Sequence, residues 1–226
     1  MRISALTLLA LTLRAVAWPQ SNSKPEVDWD TIEKQFETLR ASILAHDIDA
    51  SQKASQQLWE LATAEMVKHA PTAEERLALA ESQGQSGSPG SLLYLAMQAV
   101  QAGQMDKAEQ YARQTLLTPS RAYDSVHSGN IVLGLVALNR DGDVPAATAF
   151  LLAAAKTKGG WGSLDRWGPN LALAKALLEK GQNDAVLEYF QACKSFVTKN
   201  PKLDDWIALL KGGRPPDLSQ DYLWFQ

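Results

Sequence analysis

Apolar residues recur three and four positions apart from Trp29 to Lys211, the spacing that places them on one side of a helix. No stretch in that span alternates apolar and polar with the period of two that a half-buried strand requires. The pattern predicts an all-α chain. Asp30-Thr31-Ile32-Glu33 reads as a capping box opening a helix with Ile32, Phe36, Leu39 and Ile43 on one face. Asp47 to Asp49 makes a turn, and a second helix runs to about Lys68 with Leu58, Leu61 and Met66. After Pro71, Thr72-Ala73-Glu74-Glu75 is another capping box, for a short helix that fades at Gly84. The stretch "ESQGQSGSPGS" is then a loop, with Ser88-Pro89 suited to the N-cap and first turn of the next helix.

The following residues repeat. LLYLAMQAVQAGQMDKAEQYARQTLLTP, NIVLGLVALNRDGDVPAATAFLLAAAKT and NLALAKALLEKGQNDAVLEYFQACKSF each hold one helix, a Gly or Asp-Gly turn and a second helix. The second helices overlay on Ala108-x3-Ala112, Ala146-x3-Phe150-x2-Ala153 and Ala185-x3-Tyr189-x2-Ala192. Closely packed helices need a missing side chain at the crossing and a bulky one beside it to fill the gap. The arrangement resembles the tetratricopeptide repeat, and the segments are similar to a group of exported bacterial helical-repeat proteins. The resemblance implies a right-handed stack of antiparallel helix pairs, an α-solenoid of about ten helices. Ala108 and Ala146 are 38 residues apart and Ala146 and Ala185 are 39, against about 34 in the standard repeat. The excess falls in the connectors Thr118–Val126 and Lys158–Gly168. Gly168-Pro169 is expected to start the third pair and Asn183 to cap its second helix. Asn200-Pro201 starts a last helix with Leu203, Trp206, Ile207 and Leu210, closed by Gly212-Gly213, which serves as the cap such stacks require.

The first residues change the setting of this chain. Arg2, the apolar run Ile3–Leu13 and Ala15-Val16-Ala17 have the anatomy of a secretory signal peptide. The run is too short to span a bilayer, which takes about 20 apolar residues, so cleavage after Ala17 is expected rather than retention as an anchor. The expected organisation is a signal peptide at 1–17, a linker at 18–28, N-terminal helices at 29–87, three helix pairs at 88–199, a capping helix at 200–213 and an aromatic tail at 214–226. The mature chain is then secreted or periplasmic, with no stable membrane insertion. Removing Arg2 and Arg14 takes 22 basic residues to 20 against 25 acidic ones, a net charge of −5. No basic patch remains for nucleic acid or an anionic membrane. Cys193 is the single cysteine, which excludes an intramolecular disulfide, and its apolar helical face makes it a small buried hydrophobe.

No constellation for catalysis, cofactor or metal stands out. Asn139-Arg140-Asp141-Gly142-Asp143 has the look of half a calcium loop, yet its sixth and twelfth positions are Val144 and Phe150, where glycine and glutamate are needed. His46, His69 and His127 lack metal-ligand spacing. His127 is read as structural, with a hydrogen-bonding role at a groove edge as the alternative. There is no G-x-S-x-G elbow, and Glu74/Glu75 and Asp204/Asp205 are adjacent rather than facing. A non-catalytic binding protein without cofactor is expected.

In tetratricopeptide arrays the first helix of each pair lines a concave groove, and the resemblance carries that lining to Tyr94 and Met97, to Ser128, Ile131 and Leu135, and to Trp167, Asn170 and Ala174. The Lys and Arg of the family's carboxylate clamp are missing, which leaves an apolar, aromatic groove suited to a protein or peptide with hydrophobic anchors. The tail "RPPDLSQDYLWFQ", ending in Tyr222, Leu223, Trp224 and Phe225, is an alternative occupant from within the chain. In "GGWGSLDRWGPN", Trp161 and Trp167 with Arg166 between them offer a stacking platform for a sugar ring. That alternative makes the protein a carbohydrate- or cell-wall-associated module.

Overall fold

The computed structural model describes residues 29–45, 47, scattered positions from 50 to 68, and residues 70–82, 89–117, 125–157, 164, 169–197 and 202–218. The signal peptide, the linker and the end of the aromatic tail lie outside the described residues. Among those described there are nine helices and no strand. The chain divides into two compact units, residues 1–84 and 85–226.

In the first unit, α1 (Trp29–Leu44) and α2 (Ala73–Ser82) are the bounded helices. Leu39, Ala54 and Leu58 form a small core with Phe36 packed against it. The buried stripe of α1 runs through Leu39 and Ser42, whose hydroxyl donates to the Leu39 carbonyl at 2.8 Å. Ile43, expected on that face, is therefore rotated off it and stands 43% exposed. Asp47 Oδ1 accepts from Ala50 N at 2.9 Å, which is how the turn starts the next segment. The second capping box forms as expected: Thr72 Oγ1 accepts from Glu75 N at 3.1 Å and Glu75 Oε2 from Thr72 N at 3.0 Å.

The second unit holds α3 (Pro89–Gln101), α4 (Met105–Leu117), α5 (Ser125–Asp141), α6 (Val144–Ala154), α7 (Ala172–Glu179), α8 (Asn183–Cys193) and α9 (Lys202–Lys211). Each of α3, α5 and α7 packs against the helix that follows it; α5 also packs against α3, α4 and α7, and α8 against α6, α7 and α9. The turns inside the pairs set the period. Gly103, Gly142 and Gly181 have φ of 68°, 65° and 74°, the left-handed conformation that closes a helix and that side chains resist. They stand 39 residues apart in both intervals. Gln104 N and Gln182 N reach back to Ala99 O and Leu177 O, each at 2.9 Å, the closing bond of a Schellman turn. Asp143 N reaches Ala137 O at 3.0 Å, and its carboxylate accepts from Ala146 N at 2.9 Å to cap α6.

That period corrects the overlay on alanines. Ala108 is fully buried, but Ala146 and Ala185 are only half-buried; the fully buried equivalents are Ala147 and Val186, one position on. Two expected helix starts also shift. Asn183 is the first residue of α8, whose N-cap is Gln182 with no side-chain bond. α7 begins at Ala172 rather than at Pro169, because Asn170 Oδ1 accepts from Ala172 N at 2.9 Å and holds the preceding backbone in a turn. The last helix buries Leu203, Trp206, Ile207 and Leu210 as expected.

Candidate functional site

The first helices of the pairs were the expected lining of a groove. On α5 that position is an interior one. Every residue from Ile131 to Leu138 is buried, and at roughly 100° per residue eight consecutive positions face all directions. Ile131 and Leu135 are therefore packing residues, and Met97 on α3 and Ala174 on α7 are buried as well. Tyr94, Ser128 and Asn170 are half-buried. Trp167, with Trp161 and Arg166 of the stacking platform, lies outside the described residues. A signal for this was present: α5 has no charged residue before Arg140, and a helix apolar all round is a buried one.

Glycine allows the close packing around α5. A Cβ placed on Gly134 would collide with Leu173 Cδ2, and one on Gly129 would meet Leu116 Cγ and Cδ2 at 2.8 Å. α7 and α4 therefore approach the α5 backbone where it has no side chain.

A polar cluster sits at the N-terminal end of α5, and its residues come from four segments. His127 is fully buried. Its Nε2 accepts from Asn170 N at 3.0 Å, so in the neutral ring the proton resides on Nδ1, which donates to the Ala154 carbonyl at 3.1 Å. The Tyr189 ring is stacked beside it at 6.2 Å between centroids and Phe196 meets it edge-on at 5.9 Å. Tyr189 donates its hydroxyl to Asn170 O at 3.1 Å. Burial lowers the His127 pKa from 6.5 to about 4, only partly opposed by the Ala154 carbonyl. Burial likewise raises the Tyr189 phenol well above its ordinary value and pushes the Cys193 thiol up to about 12. Cys193 is a neutral, buried thiol without nucleophilic character.

This cluster ties backbone together and leaves no ring nitrogen for a substrate. Asn170, expected to line the groove, uses its side chain on Ala172 N and its backbone on His127 and Tyr189. Among the described residues, no group of three His, Cys, Asp or Glu side chains is placed to hold a metal ion, and no helix is long and apolar enough to cross a membrane.

The outer faces of the second helices differ. With the 39-residue period, Asp106, Gln110 and Arg113 of α4 correspond to Pro145, Ala149 and Leu152 of α6 and to Asp184, Glu188 and Gln191 of α8. All three positions are exposed on α4 and on α8; on α6 Pro145 and Ala149 are exposed and Leu152 is half-buried. Beside this face, Arg140 at the end of α5 donates to Glu109 Oε2 at 2.7 Å and Asp106 Oδ1 at 3.2 Å, and Arg113 pairs with Glu109 at 2.6 Å. Hydrogen bonds from Arg113, then from Arg140, hold the Glu109 carboxyl below its ordinary value.

No family model matches the chain, no curated protein matches it, and no solved structure matches it.

Proposed function

We propose that this is an exported, non-catalytic scaffold that binds a protein or peptide partner, built as a right-handed stack of three antiparallel, tetratricopeptide-like helix pairs. The constant spacing of Gly103, Gly142 and Gly181 and the packing of α5 on both α3 and α7 support the stacked arrangement. One observation carries the functional reading: α6 has no charged residue from Val144 to Ala154, and its outward positions are apolar where α4 and α8 carry charged residues or glutamine. A surface helix ordinarily alternates an apolar stripe with a charged face. A second helix that keeps its water-facing side uncharged between two charged neighbours fits an exposed apolar patch that a partner covers. The docking surface therefore includes the outer face of α6, whereas Ile131 and Leu135 of α5, first expected to line a groove, serve the core.

The tail is a competing cover for apolar surface. Pro216 and Leu218 are buried, which supports a tail that folds back onto the helical body.

The test is selection from a random peptide display library on the full chain, on the chain ending at Gly213, and on a Pro145→Asp/Ala149→Glu/Leu152→Arg variant. The expected result is enrichment of peptides with apolar anchors by the full chain and loss of that enrichment in the recharged variant at unchanged helicity and melting temperature. Stronger enrichment by the shortened chain identifies the tail as the competitor. Equal enrichment by the variant overturns the assignment of α6, and quenching of Trp fluorescence by soluble glycans alone replaces the peptide reading with the carbohydrate one.

A further inference from the structure

His127 joins parts of the chain that are remote in sequence: it lies 27 residues from Ala154 and 43 from Asn170, and it bonds to the backbone of both. Its ring belongs to α5, its Nδ1 partner to the last turn of α6, its Nε2 partner to the turn before α7, and its stacking partner to α8. The arrangement works in one protonation state. Nε2 accepts a backbone N–H, so a proton there would point a donor at a donor, and Asn170 N would lose its acceptor inside the protein.

We infer that this joint is an acid-sensitive latch, in which one proton taken up by His127 releases the Asn170 backbone and loosens the third helix pair from the second.

Among the described residues, no acidic side chain is placed against the ring to stabilise an imidazolium. α6 carries no titratable side chain over Val144–Ala154. On α7 the titratable residues are Lys175 and Glu179, a turn or more beyond Asn170. On α8, Asp184 and Glu188 are exposed, and the groups on the buried side are Tyr189 and Cys193. On α5 itself Arg140 and Asp141 lie at the opposite end, and on the segment with Phe196 the charged residue is Lys194, which is exposed. Burial keeps Tyr189 and Cys193 neutral through the acid range, so neither supplies a counter-charge.

The direction follows from linkage. The unfolded chain takes up the proton near 6.5, while the folded joint resists it down to about 4. Stability contributed by the neutral ring is complete above pH 6.5 and falls as the pH drops toward 4. Over that span the closed-to-open ratio is expected to fall on the order of a hundred-fold. Neutral solution leaves the joint closed, and acid weakens it progressively as the pH falls toward 4.

The experiment is carried out on the full chain by nuclear magnetic resonance, following the ring nitrogens of His127 and the exchange of backbone amides from pH 7.5 to 4.5. The expected result is an Nδ1–H tautomer that persists below pH 5.5. Amide protection at Asn170 and Ala172, corrected for intrinsic exchange, should fall at least ten-fold more than at Gln104 and Ala108 in the first pair. His127→Gln keeps a side-chain carbonyl as acceptor without a titrating ring, and the difference between the two joints should disappear in it. His127 titrating near 6.5, or protection falling equally at both joints, overturns the latch. An unchanged acid response in His127→Gln overturns it as well. If that variant does not fold, the wild-type ring titration and exchange profile decide the matter without it.

Discussion

The two joints on either side of α5 are built from the same glycine device and locked in opposite ways. Toward α4, Gly129 receives Leu116, and the lock is the Arg140 guanidinium on Asp106 and Glu109, out in water. Toward α7, Gly134 receives Leu173, and the lock is the His127 ring with both nitrogens buried on backbone. An exposed ion pair is weakened by salt and by the entropy of its long side chains. A buried neutral hydrogen bond is insensitive to salt, but removing either partner leaves the other without water. The joint with the stronger dependence on its polar atoms is therefore the one that also responds to acid.

Substituting the glycines should separate the joints most. Gly134→Ala places a methyl against Leu173, which is itself fully buried and has nowhere to move. A loss of about 1–3 kcal/mol is expected, as for other overpacked cores. Gly129→Ala meets Leu116, which is only half-buried and can turn aside, so its loss should be the smaller of the two. Urea denaturation of both variants checks the order, and a reversed order would show that the α4 joint is the tighter one.

A smaller effect is expected at Tyr189. Tyr189→Phe retains the ring beside His127 and removes the hydroxyl that donates to Asn170 O. A loss of about 1 kcal/mol is expected, the ordinary worth of one such bond, and the same urea midpoints measure it. If Tyr189→Phe costs nothing, the His127 bonds alone hold the turn before α7.

The smallest effect is expected at Arg140. Arg140→Ala breaks the exposed pairs to Asp106 and Glu109, and the thermal midpoint should shift slightly at low ionic strength and not at all in molar salt. A shift that persists in high salt would mean that the arginine stem, rather than its charge, packs between α4 and α5.

Much of this architecture is legible in local signals. Gly103, Gly142 and Gly181 mark turns because only a residue without Cβ enters that backbone region freely, and Thr72 with Glu75 marks a helix start through two reciprocal bonds. The alanine register was ambiguous for a physical reason. α6 contains Ala146, Ala147, Ala149, Ala153 and Ala154, so small residues occur on more than one face, and only the turn glycines distinguish Ala147 from Ala146 as the buried one. Ile131 and Leu135 lie in the core rather than on a groove because periodicity alone does not say how many neighbours a helix has, whereas the unbroken apolar run Ile131–Leu138 does. The role of His127 depends on partners 27 and 43 residues away, and nothing in "SVHSGN" points to them. Asn170 was expected at the groove, and its use in turning the chain follows from the late start of α7.

The enclosure of α5 between Ile131 and Leu138 has a bearing on how far the protein tolerates trimming. Arrays of near-identical repeats commonly survive the loss of a terminal unit, because each unit rests only on its neighbours. Here cutting away either outer pair would bare one side of the oily stretch Ile131–Leu138, so fragments shorter than three hairpins are expected to aggregate or fall to proteolysis.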